Sequence, residues 1–212
     1  MDKYKSDSRT IMLDGDVDDE MLRQLVSDLS YLAAHSVRKP ILLFLNSGGG
    51  DEDAAVGMIS VIEACPAPVY VIAAGYVASA AFDVLCLAPQ GRRAAVPLGS
   101  IMTHAGYPNP QGGPNRASVD DFLRAYDRQQ ERVWETLISR HPKAVDVLET
   151  ARSKKDVWLT GEEAFDLGLV DFLWTAETAA PLYKAIRERK GTRKAKPTEC
   201  KRSEKDSQES AD

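Results

Sequence analysis

The stretch PVYVIAAGYVASAAFDVLCL, residues 68–87, decides the fold of this chain. Its first part, residues 69–72, is rich in β-branched and aromatic side chains and predicts a buried strand. Small residues at 73–75 predict a turn, and a helix is expected from Ala78 onward. Ser79 then falls at a strand-to-helix junction, where unpaired N–H groups and the helix dipole favour a developing oxyanion. Because Ser is also a favoured helix cap, a purely structural role for Ser79 stays open at this point.

The composition restricts the class of protein. With 212 residues, of which 43% are hydrophobic, the chain is long enough for one domain with a full core. A net charge of −5 argues against nucleic acid as a partner. Cys65, Cys86 and Cys200 have no metal-ligand spacing, so we expect a reducing cytoplasm and neither a metal nor a cofactor in this chain.

Neither a signal peptide nor a membrane span is predicted. The first ten residues, MDKYKSDSRT, contain no apolar stretch of the kind found in signal peptides. The run from residue 64 to residue 88 is long and apolar, but Pro66, Pro68, Gly75 and Asp83 interrupt it. A strand, a turn and a helix explain this run better than a membrane span does.

The first half of the chain predicts a mostly parallel sheet. A strand at 10–13, a helix from Asp16 and a buried strand at 41–46 precede a glycine loop, NSGGGD, at 46–51. A helix at 52–64 then leads into the stretch 68–87, which completes a βαβ rhythm with loops at the carboxyl ends of strands. The loop is either a plain turn or a site of close backbone approach, and no Gly-Lys-Ser/Thr follows it to bind nucleotide phosphates.

The second half predicts shorter strands and one long helix. Strands are expected at 94–96, 101–103, 156–159 and 170–174, and a loop at 105–115. Ser118 and Asp121 form a capping-box pattern before an amphipathic helix that runs to Arg140, and its apolar stripe could pack against a partner subunit. Three further helices are expected, at 145–152, at 178–187 and, between them, at the capping-box pair Thr160 and Glu163. Residues 1–9 form a short N-terminal segment, and residues 188–212 are predicted to be a disordered charged tail.

A nucleophilic serine needs a base, and the chain contains three histidines. His35 and His141 each end a predicted helix, where a structural role suffices. His104 leaves a strand end at the same kind of edge as Ser79, so it is the candidate base; a buried structural histidine is the alternative. Asp156 is the candidate acid that orients His104, or else a solvated turn residue. The α/β-hydrolases do not fit, because their Gly-x-Ser-x-Gly pattern is absent around Ser79.

Three motifs resemble the proteolytic subunit of the Clp protease. LFLNSGGG, residues 43–50, resembles that family's Asn-Ser-Pro-Gly-Gly loop, and AGYVASAAF, residues 74–82, resembles its nucleophile turn. DVWLTGEEAFDLGLVD, residues 156–171, is similar to its segment ending in Tyr-Gly-Leu-Val-Asp and is the most specific of the three. The resemblance covers residues 10–175, without a gap from the glycine loop to His104.

This resemblance implies a fold and a set of site residues. The fold would be α/β, a ClpP/crotonase-like ββα spiral with a long handle helix at 118–140. The catalytic residues would be Ser79, His104 and Asp156. The backbone N–H groups of Gly50 and Ala80 would form the oxyanion hole.

The resemblance also implies an activity and partners. The chain would be a serine endopeptidase of the cytoplasm that hydrolyses unfolded or short polypeptides. Its substrate would lie extended between residues 50–53 and the segment after His104. Subunits would form a homo-oligomer, a heptameric ring or two such rings joined through the handle helices. ATP would be used only by a separate AAA+ unfoldase, if one binds.

Several positions differ from the family pattern. The N-terminal region that meets the ATPase in the family is expected to be nearly absent here. Tyr76 replaces a Gln, Ala81 a Gly, Asp83 an apolar residue and Lys155 an Arg. Two alternatives therefore stay open: a non-catalytic ring subunit or scaffold on the same fold, and a crotonase-type acyl-CoA enzyme.

Overall fold

The computed structural model describes residues 8–108, 116–153 and 155–188. The strands are β1 (Thr10–Asp14), β2 (Ile41–Ser47), β3 (Val69–Ala78), β4 (Arg93–Ala95), β5 (Ser100–Thr103), β6 (Val157–Thr160) and β7 (Phe172–Leu173). The helices are α1 (Asp19–His35), α2 (Glu52–Ala64), α3 (Ala80–Cys86), α4 (Arg116–Arg140), α5 (Val145–Arg152), α6 (Gly161–Asp166) and α7 (Ala176–Arg187). The predicted tail beyond residue 188 lies outside the described residues. So do most of the predicted N-terminal segment and most of the predicted loop after residue 104. The division into 1–9, 10–187 and 188–212 stays a prediction.

The sheet is built around β3. Strands β1, β2, β3, β4 and β7 lie side by side in that order, and each pair is parallel. The first half of β3 pairs with β4 and its second half with β5, which in turn pairs with the antiparallel strand β6. The predicted α/β architecture, a ClpP/crotonase-like ββα spiral with a long helix, is confirmed.

The predicted turn at residues 73–75 is wrong, because β3 continues to Ala78. Ala73 is paired on both sides, with β2 and with β4, so the neighbouring strands satisfy its backbone. Farther along, the register with β2 shifts, and Asn46 Oδ1 accepts a hydrogen bond from the N–H of Tyr76 at 2.9 Å. A Cβ at Gly75 would lie 3.0 Å from that same oxygen. The small residues therefore permit close approach between strands.

Helices cover both faces of the sheet. Alternate strand residues point to opposite faces, and most of the buried side chains lie on the face that α1, α2 and α3 cover. This larger core includes Leu25, Leu29, Leu43, Met58, Ile62, Val71, Phe82 and Leu85. On the other face, Ile186 of α7 packs against a smaller cluster formed by Leu42, Ile72 and Ala94. The apolar run at 64–88 thus forms β3 and α3, and among the described residues no helix is both long and apolar enough to cross a membrane.

The capping signals near residue 160 are confirmed. Thr160 and Glu163 form the predicted reciprocal capping box at the start of α6. Gly168 follows this helix with a positive φ of 71°, a conformation that glycine adopts without strain. These two signals are local, so the sequence alone sufficed to place them.

Three helix starts differ from the prediction. Helix α1 begins at Asp19, capped by Asp18, because Val17 forms a parallel bridge with Gly50. Helix α4 begins at Arg116, so Ser118 lies inside it and not at its cap. Helix α7 begins at Ala176, two residues early, because Thr175 caps it through the N–H of residue 178. For α1 and α7, a polar residue other than the predicted first residue of the helix caps it.

A buried arginine joins the ends of α3 and α4 to the sheet. Arg93 donates from Nη2 to Asp171 Oδ1 at 2.6 Å and from Nη1 to the carbonyl of Cys86 at 3.1 Å. The same Nη1 lies 3.1 Å from His141 Nε2, and His141 Nδ1 lies 2.9 Å from the carbonyl of Gly168. A neutral His141 with its proton on Nδ1 donates to Gly168 and accepts from Arg93, while its Nε2 also lies 2.9 Å from the Cys86 carbonyl that Arg93 contacts. Burial lowers the pKa of His141, and the Arg93 charge lowers it further.

We expect His141 to make the fold sensitive to acid. Below about pH 6.5, the ordinary pKa of histidine, the unfolded chain binds a proton that the folded chain does not. The free energy of unfolding therefore falls as pH decreases, by up to about 1.4 kcal/mol per pH unit for one proton. Thermal melting between pH 7.5 and 5.5 should show a smaller loss of melting temperature in His141→Gln than in the wild type, although the variant starts lower. Equal slopes for the two proteins would contradict this assignment.

Candidate active site

Ser79 lies between β3 and α3, as predicted, but its side chain does not cap the helix. Its φ is 53°, which makes it the one non-glycine residue with positive φ in the described part of the chain. Such backbone strain costs on the order of 1–3 kcal/mol and persists only where the surroundings enforce it. Here the N–H of Ser79 donates to the carbonyl of Met102 at 3.0 Å, and its carbonyl accepts from the N–H of Phe82 at 2.8 Å. These two backbone hydrogen bonds hold Ser79 between β5 and the first turn of α3.

Strand pairing brings the three predicted side chains to one edge of the sheet. Strands β3 and β5 are parallel and end together, so Ser79 and His104 leave the sheet at the same edge. Strand β6 runs antiparallel to β5, so Asp156, which precedes β6, meets His104, which follows β5. Residues far apart in the sequence are thereby juxtaposed by backbone register alone.

The three side chains form a chain of contacts, in which the serine meets one ring nitrogen of the histidine and the acid meets the other. Ser79 Oγ lies 2.9 Å from His104 Nε2, within hydrogen-bond distance. His104 Nδ1 lies 3.3 Å from Asp156 Oδ1. The His104 side chain is largely buried, whereas 56% of the Asp156 side chain is exposed. Tyr107 packs its ring edge-on to the His104 imidazole at 5.6 Å between centroids.

The glycine loop after β2 packs against the backbone on either side of Ser79. Gly49 has a φ of 97°, and a Cβ there would lie 2.6 Å from the carbonyl oxygen of Ala78 and 3.0 Å from the nitrogen of Ala80. From the other side, the N–H of Val17 donates to the carbonyl of Gly49 at 2.9 Å. The loop is therefore held in place, and the alternative of a plain flexible turn does not describe it.

Gly50 and Ala80, the two predicted oxyanion donors, have backbone N–H groups outside the regular pairing. The bridge to Val17 uses the carbonyl of Gly49 and the N–H of Asp51, so the N–H of the intervening Gly50 points away from Val17. Ala80 is the first residue of α3, so its N–H has no partner within the helix. Neither predicted oxyanion donor is thus used in the bridge to Val17 or within α3, and their role as an oxyanion hole stays a prediction.

A cleft of about 640 Å³ opens in front of Ser79 and His104. Two of its walls are the segments predicted to hold a substrate, residues 50–53 and the segment after His104. The third wall, formed by Phe122, Ala125, Tyr126 and Gln129 of α4, was not predicted for this role. Their spacing marks one helical face, but the sequence analysis assigned its apolar members to a partner subunit. Farther along α4, Trp134 and Leu137 pack into the protein's own core.

Glu52 is a half-buried acid in this cleft. Its Oε1 accepts a hydrogen bond from the Tyr126 hydroxyl at 3.1 Å, and its Oε2 accepts one from the side-chain amide of Gln130. Burial nevertheless raises the pKa of Glu52 above its ordinary value. Burial and the nearby charge of Glu52 raise the pKa of Asp83, one helical turn after Ser79, to about 8. The sequence analysis noted Asp83 as a departure from the family pattern but gave Glu52 no role.

The other two histidines have the structural positions expected of them. His35 ends α1, and its Nδ1 lies 2.7 Å from the carbonyl of Tyr31. His141 belongs to the buried Arg93 cluster. In the part of the chain that the structure describes, no group of three or more His, Cys, Asp or Glu side chains is arranged to hold a metal ion.

This fold, with a serine–histidine pair on a strained strand-to-helix turn, is typical of Clp-type proteolytic subunits. The family model of the Clp protease matches residues 3–177, and the chain therefore belongs to the Clp protease family. It is 32% identical over 165 residues to "ATP-dependent Clp protease proteolytic subunit 3" of Rhodococcus jostii strain RHA1, a match that covers 77% of this chain and 79% of that protein. It is 29% identical over 164 residues to "ATP-dependent Clp protease proteolytic subunit 2" of Treponema denticola, with 77% and 80% covered. A subunit 3 of Parasynechococcus marenigrum is 31% identical over 166 residues, with the same coverage.

We expect Gly49→Ala to disable the site without unfolding the protein. A methyl group there meets the backbone of Ala78 and Ala80 and must displace the loop that carries Gly50. Loss of one oxyanion donor typically lowers rates by roughly a hundredfold or more. The measurement is the rate at which an alkyl fluorophosphonate labels the protein.

Gly91→Ala is the matched control for this variant. Gly91 also has a positive φ, of 79°, but a Cβ there would meet nothing within 4 Å. Both variants therefore place an alanine at a positive φ, and only Gly49→Ala also meets the backbone around Ser79. Equal labelling rates in the two variants would show that the glycine loop does not shape the site.

Proposed function

We propose that this chain is a serine endopeptidase that hydrolyses peptide bonds in unfolded or short polypeptides, as a Clp-type proteolytic subunit. The observation that carries the proposal is the 2.9 Å contact between Ser79 Oγ and His104 Nε2 on a strained turn. Membership of the Clp protease family supports it, as do the names of the relatives.

In this mechanism the serine is activated by its histidine neighbour. Ser79 Oγ attacks the peptide carbonyl carbon while His104 Nε2 accepts the hydroxyl proton. The resulting imidazolium is oriented and stabilised by Asp156, whose carboxylate lies on the Nδ1 side. His104 then gives its proton to the leaving amine, and water repeats the cycle on the acyl-enzyme to release the second product.

The backbone donors stabilise the charge that develops on the substrate oxygen. When Ser79 attacks, the carbonyl oxygen becomes an oxyanion within reach of the N–H groups of Gly50 and Ala80. The start of α3 adds a favourable dipole. Because Gly49 and the β3–β5 pairing already fix these donors, little reorganisation is needed during the reaction.

An extended substrate suits the shape of the cleft. One wall is the backbone of residues 50–53, and the opposite wall is the segment that follows His104. A peptide that pairs with the backbone at the start of one wall would bind as an added strand, through main-chain hydrogen bonds that do not depend on its sequence. Side chains of the peptide would then enter the cleft at alternate positions.

We further propose assembly into a homo-oligomer, a heptameric ring or two stacked rings. Tyr76 and Trp158 stack with ring centroids 6.1 Å apart, and they are 40% and 53% exposed beside Asp156. A neighbouring subunit that covers them would also shield the exposed Asp156 from water. Sedimentation should give a large multiple of 23.3 kDa, and a monomer would contradict this part of the proposal. A cytoplasmic location and an ATP-driven AAA+ unfoldase partner rest on the family resemblance.

Covalent labelling with an alkyl fluorophosphonate tests the mechanism without knowledge of the substrate. We expect the label on Ser79 alone, located by peptide mass spectrometry. Labelling should be abolished in Ser79→Ala and reduced by roughly a thousandfold or more in His104→Ala, because the hydroxyl then lacks its base.

Persistent labelling in Ser79→Ala would refute the assignment of the nucleophile. Wild-type protein that forms a verified oligomer but takes no label would favour the non-catalytic scaffold alternative. Asp156→Asn, which removes the charge and keeps the shape, should slow labelling while leaving the melting temperature nearly unchanged, because Asp156 is mostly exposed.

A further inference from the structure

The cleft beside Ser79 has apolar walls and an acidic end. Aromatic residues Tyr107 and Phe122 line two of its walls, and acidic residues Glu52 and Asp53 line the wall at the start of α2. A side chain with a long apolar stem and a charged tip can satisfy both kinds of surface at once. An aliphatic side chain of the same length would leave the acidic end without a partner.

Glu52 is held in position at both of its carboxylate oxygens. Tyr126 and Gln130 of α4 donate hydrogen bonds to its two carboxylate oxygens. Gly106 contributes by having no side chain, because a Cβ there would overlap Glu52 Oε1 and the Tyr126 hydroxyl. The carboxylate is thus a fixed part of the cleft wall.

The negative charge at this end of the cleft has no cationic partner within the described part of the chain. The ion pairs found there involve none of Asp51, Glu52, Asp53 and Asp83. The raised pKa of Glu52 is the electrostatic consequence of burying it without a cation nearby. A cation that enters with a ligand would restore the ionised form.

The compensating cation is best supplied by an organic ligand. The described residues include no group of three or more carboxylate or imidazole side chains arranged for a metal. The cleft also contains Ser79 and His104, so whatever fills it lies against the reacting atoms. In an extended peptide, the side chain adjoining the scissile bond is the one that occupies such a position.

We propose that this cleft selects peptides with a Lys or Arg side chain adjoining the scissile bond, and that Glu52 is the residue that determines this specificity. The stem of that side chain lies along Phe122 and Tyr107, and its charged tip reaches the Glu52 carboxylate. The inference rests on the proposed peptidase function and adds the substrate class to it.

Three covalent probes separate this inference from the proposed function. An alkyl fluorophosphonate carries no side chain and tests only the activated serine. Two peptidyl phosphonates that differ only in Lys or Leu beside the phosphorus test the cleft. With the full-length protein, we expect the Lys probe to label Ser79 at least tenfold faster than the Leu probe.

Charge removal at Glu52 tests the residue assignment. Glu52→Gln keeps the size of the side chain and removes the charge, so we expect the Lys-to-Leu ratio of labelling rates to fall at least tenfold. Glu20→Gln, the same change on exposed α1 outside the cleft, should leave the ratio unchanged. Should Glu52→Gln fail to fold, Glu52→Asp keeps the charge on a shorter stem and is expected to give an intermediate ratio.

Each outcome decides the question. A Leu probe that labels as fast as the Lys probe, in protein that the alkyl probe labels, would overturn the specificity and leave the peptidase function standing. A Lys preference that is unchanged in Glu52→Gln, or in Glu52→Asp if the former does not fold, would overturn the role of Glu52. No labelling by any probe, in a verified oligomer, would overturn the peptidase function and this inference with it.

Discussion

The parallel pairing of β3 with β5 is the constraint on which the candidate site depends. It fixes the end of β3 against the end of β5, so Ser79 and His104 leave the sheet side by side. It also supplies the hydrogen bond from the N–H of Ser79 to Met102 that helps hold the serine at a φ of 53°. Isolated from this pairing, the turn would relax, because the strain of a non-glycine residue there is on the order of 1–3 kcal/mol. The reactive geometry is therefore a property of the sheet and not of the turn alone.

The approach of β2 and its glycine loop to β3 explains why small residues surround the site. Gly49 lies against the backbone of residues 78–80, and Gly75 lies against Asn46, at distances where a side chain would displace backbone atoms or a strand-bridging amide. Close approach brings the glycine loop against the backbone on either side of Ser79, at the expense of side-chain packing there. The larger core under α1, α2 and α3, together with the Arg93 cluster, supplies the rigidity that this small-residue region lacks.

Much of the fold could be predicted because its signals are local or periodic. The buried strand at 41–46, the helix at 52–64 and the Thr160 capping box depend on neighbouring residues alone, and the structure confirms each. The continuation of β3 through residues 73–75 could not be predicted, since the small residues that allow a turn also allow three strands to approach closely. The contacts of the N-terminal half of α4 could not be predicted for a related reason. Periodicity shows which residues share a face, but it does not show whether that face meets a partner or the chain's own cleft.

Burial of the Glu52 and Asp83 carboxyl groups costs folding free energy, because it removes them from water. Asp83 has a pKa of about 8 in the folded chain and an ordinary pKa of 3.8 in the unfolded chain. At pH 7 the folded chain therefore binds a proton there that the unfolded chain does not bind. Stability attributable to this group is therefore full below pH 3.8 and is lost as pH rises toward 8, by about 1.4 kcal/mol per unit. Glu52 joins α2 to α4 through Tyr126 and Gln130, but an apolar side chain of similar volume would be buried at either position without the cost of desolvating a carboxylate. The position of Glu52 in the cleft beside Ser79 supplies a reason, because a cationic substrate side chain would offset the penalty while it is bound.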